Sequence, residues 1–361
     1  MKFYTKKLFP LRKTADHLLL LMLFLPFLGC QPTAETLRLT YGTEQYFKYR
    51  HKDINILGSF TGIPTEVTYQ LNGGATVSFY IKGMDPGKDK ISRNRLFKEG
   101  DFNIEIPVDS KDLQEGQNQL DIEIIDSENQ PHQQGVIFEW DPEPVALPLD
   151  LSNLAAYSKV QQLGQIVNGT FEIDREKNVI RTSQPVAKDV LLLLGSPLGS
   201  QEATYSVVFG GDSGNFLGLA DFFAGHEEAI PAIGIKPGWS SAGLATIRPD
   251  QRESAQTWLA WGDLLEDKRK WVVKTDPPKP FEFQVGLKYR VRQQVLFQNG
   301  VNRARFKIWP VSEEEPEAWL CEESDESVPE SKIKFKTASF GLFQFGGQPT
   351  EWSDIRLMSL D

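Results

Sequence analysis

The chain has few of the residues that build disulfide scaffolds and zinc sites: its 361 residues include only two cysteines and four histidines. This scarcity excludes a disulfide-stapled fold and argues against zinc as an organising ion. Positive charge is also scarce, because 39 lysines and arginines face 49 aspartates and glutamates, a formal net charge of −10. An acidic surface repels a phosphate backbone, so we expect no nucleic-acid partner.

The remaining composition is that of an ordinary globular protein. A hydrophobic fraction of 40% and a charged fraction of 24% exclude wholesale disorder and a membrane protein with many spans. By length alone, we expect two domains.

The N-terminus has the pattern of a secretion signal over residues 1–29. Five basic side chains precede one apolar run, Leu18 to Leu28, which is too short to span a bilayer as a mature helix. The run ends in Gly29-Cys30, which resembles a bacterial lipobox with Phe27 in place of the usual leucine. The resemblance implies that Cys30 is lipidated on its thiol and becomes the new N-terminus. An ordinary signal peptide with an incidental cysteine is the alternative.

Lipidation would make the protein an exported, membrane-anchored component of the bacterial cell envelope. Several acyl chains on one residue anchor more firmly than a single chain. Gln31 follows the cysteine, and its resemblance to sorting signals of diderm bacteria implies the outer membrane. We expect residues 30–40 to form a tether.

Residues 41–140 show short alternating runs that predict an antiparallel β-sandwich. The runs Glu66–Leu71 and Ala75–Ile81 flank Asn72-Gly73-Gly74, and Asn-Gly between alternating runs is a strong hairpin signal. Phe102–Ile106 and Asn118–Ile125 alternate in the same way. Together with the segments Asn55–Gly58, Tyr69–Gly74, Gly100–Ile104 and Glu115–Asn118, this module resembles the bacterial immunoglobulin-like modules found beside carbohydrate-active domains.

A linker is predicted at residues 141–146. Pro142 and Pro144 fix their own backbones and push the residues before them toward extended conformations, so no helix can form there. We therefore expect a cut near this segment to give two folded fragments.

Apolar and polar residues alternate again in residues 147–361. Four strands are predicted there, and the last two form a hairpin. They are Ala203–Phe209, Phe281–Val285, Lys288–Phe297 and Arg303–Trp309, the last two joined by the turn Gln298-Asn299-Gly300. The stretch Arg252–Lys268 is the one hint of a helix, and we expect its Trp258 and Trp261 to dock on a sandwich.

The same region resembles the concanavalin A-like jelly roll of bacterial laminin-G-like modules and of the related 3-keto-disaccharide hydrolase domain. The segments that carry the resemblance are Gly169–Ile173, Asn302–Pro310, Glu315–Trp319, Ala338–Gly347 and Glu351–Leu357. The fold class implied is all-β, with an immunoglobulin-like sandwich followed by a concanavalin A-like jelly roll. This fold hosts lectins, adhesins, hydrolases and lyases alike, so it implies no activity.

Glu172 and Asp174 are the candidate catalytic pair. Alternate carboxylates on one strand face resemble the acidic motif of jelly-roll glycoside hydrolases, whose two carboxyl groups lie about 5 Å apart. Arg175 stands where that family has an apolar residue, and the strand is expected at the periphery. We therefore favour a solvated edge strand over a catalytic site.

We expect no cofactor, although a structural calcium ion remains an alternative. The histidines lack the spacing of a helical zinc site. Asp354 is the candidate calcium ligand, because it lies on the terminal strand where related sandwiches hold such an ion, and calcium prefers oxygen ligands.

The candidate ligand-binding surface is the hairpin around Asn299-Gly300. Alternation places its apolar residues on one face and a set of basic and aromatic side chains on the other, namely Arg290, Arg292, Arg305, Lys307 and Trp309. Such a face could stack a sugar ring and pair with an anionic glycan. The alternative is the ordinary outer face of a sandwich.

These observations favour a surface lipoprotein that acts as a non-catalytic carbohydrate-binding or adhesion protein. A glycan and the membrane are its expected partners, and its oligomeric state is left open. One alternative is a jelly-roll glycoside hydrolase, including a keto-glycoside hydrolase, which needs carboxylates converging on a cleft. Another is a structural subunit of an envelope complex, which would expose a large apolar patch.

Overall fold

The structure is a computed structural model. It describes residues 36–49, 52–62, 64–84, 96, 98–183, 186–224, 241–249, 253–263, 269–327 and 335–361, with backbone alone at 187–189, 241, 244, 260–263 and 269–272. Cys30 and the predicted signal lie outside these residues. Among the helices of the described part, none has the length and hydropathy that crossing a bilayer requires.

Two sheets form the N-terminal sandwich. Its strands are β1 (Thr36–Leu39), β2 (Glu44–Lys48), β3 (Asp53–Thr61), β4 (Pro64–Leu71), β5 (Thr76–Ser78), β6 (Asp101–Pro107), β7 (Gly116–Asp126) and β8 (Pro131–Asp141). Sheet I has the order β1-β3-β6, and sheet II has the order β2-β8-β7-β4-β5. Alternate residues of both sheets, such as Ile54, Ile104, Ile122 and Phe138, are buried in one common core.

The hairpin predicted around Asn72 is confirmed. Asn72 and Gly73 have φ values of 51° and 70°, which a two-residue turn between twisted antiparallel strands requires. β4 pairs with β5 in a register that places Tyr69 opposite Val77. β5 is shorter than predicted, since its ladder ends at Ser78.

Two eight-stranded sheets form the C-terminal sandwich. Sheet III has the order β10-β13-β23-β15-β16-β17-β18 with β19 on β17, and sheet IV the order β11-β12-β24-β14-β20-β21-β22 with β9 on β24. Two short 3-10 helices, Leu154–Ala156 and Val160–Gln162, follow β9. The strands are β9 (Leu149–Leu151), β10 (Gly164–Asn168), β11 (Phe171–Asp174), β12 (Val179–Thr182), β13 (Val186–Leu198), β14 (Gln201–Phe209), β15 (Ala220–Phe223), β16 (Ser241–Arg248), β17 (Ser254–Asp263), β18 (Arg269–Lys274), β19 (Lys279–Pro280), β20 (Lys288–Gln298), β21 (Val301–Pro310), β22 (Cys321–Ser324), β23 (Ala338–Gly347) and β24 (Thr350–Ser359).

The core of this sandwich lies between sheets III and IV. Tyr205, Phe306 and Trp352 of sheet IV and Phe222 and Phe340 of sheet III are fully buried there. Burying side chains of this size contributes about 1.5–3 kcal/mol each to folding. The all-β prediction is confirmed, and it follows from alternation, since each strand has one face toward this core.

Two predicted elements are wrong. Within the stretch predicted as a helix, Ser254–Asp263 is strand β17, because Ala255 and Leu259 point into the core and pairing with β16 and β18 outweighs local helix propensity. Residues 281–285 are not a strand. The Phe281 amide donates to the Glu253 carbonyl, and the Gln284 amide donates to the Tyr289 hydroxyl. These backbone groups therefore make their hydrogen bonds outside a β-ladder.

Polar side chains join the two sandwiches. The Gln161 amide donates to Gln45 Oε1 at 2.7 Å, and all four residues of the pairs Gln161–Gln45 and Gln165–Asn55 are buried. Gln165 Nε2 donates to Asn55 Oδ1 at 2.8 Å and to the Asp53 carbonyl at 2.9 Å. Buried polar groups need such partners, and separating the sandwiches would break these hydrogen bonds and expose the amides to water.

Candidate functional site

The registers of sheet IV bring outward-facing side chains from four strands into two adjacent rows. Thr204 on β14 lies opposite both Arg356 on β24 and Arg292 on β20, and Arg292 lies opposite Lys307 on β21. In the next row, Arg290 lies opposite Trp309. The predicted division of the hairpin into an inner and an outer face is therefore confirmed, with Tyr289, Val291, Val295, Phe306 and Ile308 in the core.

A β-bulge on β24 adds a carboxylate to this outer face. Trp352 and Ile355 both point into the core although they are three positions apart and not two, so one extra residue lies between them. The register with β14 shifts between Thr204 and Ser206, and Asp354 takes a φ of 54°. Bulges re-aim side chains in this way beside many functional sites.

Side chains of the two rows line an open cavity of about 330 Å³. Its volume lies at the lower end of the range for small-ligand pockets. The lining side chains are Ser152, Thr204, Arg290, Arg292, Trp309, Glu315, Asp354 and Arg356. The cavity thus combines three guanidinium groups, two hydroxyls, two carboxylates and one indole.

Arg290 differs from the other cations of the cavity. Within the part of the chain that the structure describes, its side chain has no ion pair and no hydrogen bond. Its cross-strand neighbour Trp309 is 9% exposed, so the indole is a packed wall of the cavity. A guanidinium offers five donors in a planar fork that matches a carboxylate or a sulfate. Arg290 is therefore free to take an anionic ligand.

Arg292 is held by two acids of the protein itself. Its Nη1 lies 2.9 Å from Oε1 of Glu202, and its Nε lies 2.8 Å from Oε1 of Glu315. The Lys307 Nζ lies 2.8 Å from the same Glu315 oxygen. Burial raises the pKa of Glu315, but hydrogen bonds from Lys307 and Arg292 outweigh it and hold the pKa below its usual value. Glu315 is therefore ionised at neutral pH.

Arg305 and Lys307 do not line the cavity and lie against the loop 311–320. The Trp319 ring centre is 4.5 Å from the Arg305 guanidinium carbon and 5.1 Å from Lys307 Nζ. Arg305 also donates to Gln294 at 2.7 Å and pairs with Glu322 at 3.3 Å. Of the five predicted ligand-binding residues, only Arg290, Arg292 and Trp309 line the cavity.

Asp354 bonds to a lysine and two hydroxyls. Its Oδ2 accepts from Lys288 Nζ at 3.0 Å, from Ser206 at 2.9 Å and from Ser353 at 3.1 Å. Burial raises the pKa of Asp354, but these donors outweigh it and lower the pKa overall. The described residues contain no group of three or more histidines, cysteines, aspartates and glutamates that could hold a metal ion.

The candidate catalytic pair lies on the edge strand β11. Arg181 on β12 contacts both carboxylates, with its Nε 2.6 Å from Glu172 and its Nη1 3.4 Å from Asp174. The hairpin turns at Asn178, which has a φ of 54°. Both acids thus face a neighbouring arginine at the sheet edge.

Sheet III contains an acid that sequence analysis missed. Asp221 is fully buried, and burial raises its pKa well above the usual value despite a hydrogen bond from the Ala245 amide. That amide donates to Oδ1 at 2.7 Å, while Oδ2 has no hydrogen-bond partner. Alternation puts Asp221 on the outer face of sheet III with Phe223. A signal was available, since one charged residue interrupts the apolar run Leu219–Phe223.

Exposed large apolar side chains are few and dispersed in the described residues. They are Val77, Ile137, Val285, Val311 and Met358. Val77 and Ile137 lie on strands of sheet II that are three positions apart in its order. They give no argument for an envelope subunit that docks through one apolar patch.

Comparison with known proteins gives structural similarity alone. No family model matches the chain, and no curated protein matches it. A carbohydrate-binding module, CBM66, from Bacillus subtilis aligns with a TM-score of 0.37 and 12% identity, covering 54% of this chain and 94% of its own. Lectin II from Ulex europaeus aligns at 0.32 and 12%, with the same coverage. The basic lectin of winged bean aligns at 0.33 and 10%, covering 58% and 96%. The strand order and registers of the four sheets define the fold.

Proposed function

We propose that the C-terminal sandwich binds an acidic saccharide in the cavity of sheet IV without cleaving it. The observation that supports this most is Arg290, a guanidinium without a partner among the described residues, at the wall of a cavity. An anionic group bound there would receive a charge-assisted, bidentate hydrogen bond. Such bonds contribute about 1.5–3 kcal/mol each.

The other lining groups support a sugar as the carrier of that charge. Trp309 provides an apolar surface, while Thr204 and Ser152 provide hydroxyls that both donate and accept. Sugar rings present hydroxyls at their edges and C–H groups on their faces, so hydroxyls and an indole suit them together. Both carboxylates of the cavity are ion-paired, with lowered pKa values, which leaves neither as a general acid near neutral pH.

Retention on immobilised polysaccharide tests this proposal. The soluble form that begins after Cys30 should be retained on polygalacturonate and not on unsubstituted dextran. Arg290→Ala should weaken retention by about tenfold, the equivalent of one charge-assisted hydrogen bond. Arg303→Ala is the matched control, because Arg303 lies on the same outer face, pairs with Glu322 and does not line the cavity. Equal retention of wild type and Arg290→Ala would remove the cavity as the binding site.

We also propose that lipidated Cys30 anchors the protein to the bacterial cell envelope, in the outer membrane. This rests on the lipobox-like sequence alone. Palmitate labelling of cells tests it, and Cys30→Ser should abolish the label. Continued labelling of that variant would contradict the anchor and leave the cavity proposal unaffected.

A further inference from the structure

Glu315 has the contacts that a bound anion would have. Arg292 Nη2 donates to Oε2 of Glu315 at 3.0 Å, Arg292 Nε lies 2.8 Å from Oε1 in an ion pair without hydrogen-bond alignment, and the Lys307 ammonium lies 2.8 Å from the same Oε1. Charge-assisted hydrogen bonds and ion pairs of this kind also bind carboxylates of ligands. Glu315 also lines the same cavity as the unpartnered Arg290.

The loop that carries Glu315 is attached to the sheet by few groups. Residues 311–318 are all exposed, and Trp319 and Leu320 are half-buried at its far end. The Lys307 ammonium binds the Pro316 carbonyl at 2.7 Å independently of the carboxylate. The Glu315 side chain can therefore leave Arg292 by a change of rotamer, with the loop backbone in place.

The position of Arg292 relative to Arg290 suits a ligand with repeated charges. The two arginines are two residues apart on β20 and point to the same face, so their Cα atoms are separated by roughly 7 Å. A single acidic sugar would reach Arg290 alone. Acidic groups on neighbouring rings could reach both arginines, the second by exchanging with Glu315.

We propose that Arg292 and Lys307 form a second anion subsite, filled by Glu315 in the free protein, and that the ligand is an oligosaccharide with acidic groups on neighbouring rings. This deepens the proposed function and rests on it. Glu315 then competes with the second acidic group of the ligand for Arg292 and Lys307. Loss of its charge should tighten binding of an oligomer and leave binding of a monomer nearly unchanged.

Calorimetric titration with galacturonate and with trigalacturonate tests this. Glu315→Gln should bind the trisaccharide about fivefold more tightly than wild type, the upper range for one solvent-accessible ion pair, and the monosaccharide equally. Glu317→Gln removes the same charge from the same loop away from the cavity and should match wild type for both sugars. Adding Lys307→Met to Glu315→Gln should cancel the gain in trisaccharide affinity. The double variant also lacks the ammonium that Glu315→Gln leaves without its carboxylate partner, so it can be measured if Glu315→Gln alone folds poorly.

The outcomes separate the two proposals. If wild type binds trigalacturonate and loses it with Arg290→Ala, but Glu315→Gln binds no more tightly than Glu317→Gln, the second subsite is wrong and the first stands. If wild type binds neither sugar, both proposals are overturned. A gain in trisaccharide affinity that survives Lys307→Met would also contradict the second subsite.

Discussion

The outer faces of the two C-terminal sheets differ in what covers them. On sheet IV, outward-facing cations lie beside outward-facing acids, and only Arg290 is left without a partner in the described structure. On sheet III, the outer face buries a second apolar cluster of Val167, Leu191, Leu193, Phe223 and Phe343. Phe216, Phe345 and Trp258 pack against it at the rim.

This difference shows how strongly burial on one or both faces of a sheet shapes a strand's sequence. Strands of sheet IV alternate because one face meets water. In β13 the run Leu191–Leu194 is continuous, because Leu192 and Leu194 face the core while Leu191 and Leu193 face the second cluster. Asp221 is an acidic residue in that setting, and burial disfavours its charged form, so its pKa is raised.

The largest expected effect is on the free energy of unfolding, and it distinguishes the outer face of sheet III from that of sheet IV. Phe343 is 8% exposed and contacts Phe223 and Phe216 with ring centres 6.0 and 6.3 Å away. Phe343→Ala should lower the free energy of unfolding by about 3 kcal/mol, as expected for a buried aromatic residue. Arg290→Ala should change it by less than about 0.5 kcal/mol. Urea unfolding measures both, and a large loss for Arg290→Ala would mean that the charged face is structural.

The next effect concerns Asp221 and pH. A carboxyl group whose pKa is raised by folding binds its proton more tightly in the folded state, so stability falls as the pH rises above the unfolded value of about 3.8. Relative to Asp221→Asn, wild type should therefore lose up to about 1.4 kcal/mol per pH unit above that value. Urea unfolding of both proteins from pH 4 to pH 7 measures this. A difference independent of pH would show that Asp221 ionises normally.

Alternation predicted the fold and the composition of the outer face of sheet IV, since it depends on residues two apart in sequence. It could not predict which cations of that face are already paired. Glu202, Glu315 and Asp354 come from β14, a loop and β24, and only the tertiary fold brings them to Arg292 and Lys288. The bulge at Asp354 and the loop over Arg305 likewise depend on long-range packing. The helix-like composition of β17 misled because sheet pairing outweighs propensity.

The smallest effect concerns Glu315. A carboxyl group whose pKa is lowered by folding stabilises the protein above its usual pKa, and that contribution is lost as the pH falls through the lowered value. Glu315→Gln should therefore be less stable than wild type at pH 6 by about 1 kcal/mol or less, because solvent screens a partly exposed pair. The difference should shrink below pH 4.5, the usual value for glutamate. A difference that grows in acid would contradict the ion-paired state.

The most direct test of the central claim compares the two faces in one spectrum. Trp309 lines the cavity of sheet IV, whereas Trp258 lies on sheet III beside Phe216 at 5.6 Å between ring centres. Titration of the 15N-labelled soluble protein with trigalacturonate should shift the indole N–H resonance of Trp309 in a saturable way and leave that of Trp258 in place. A saturable shift of Trp258 with Trp309 unmoved would contradict the account, because the ligand would then bind sheet III.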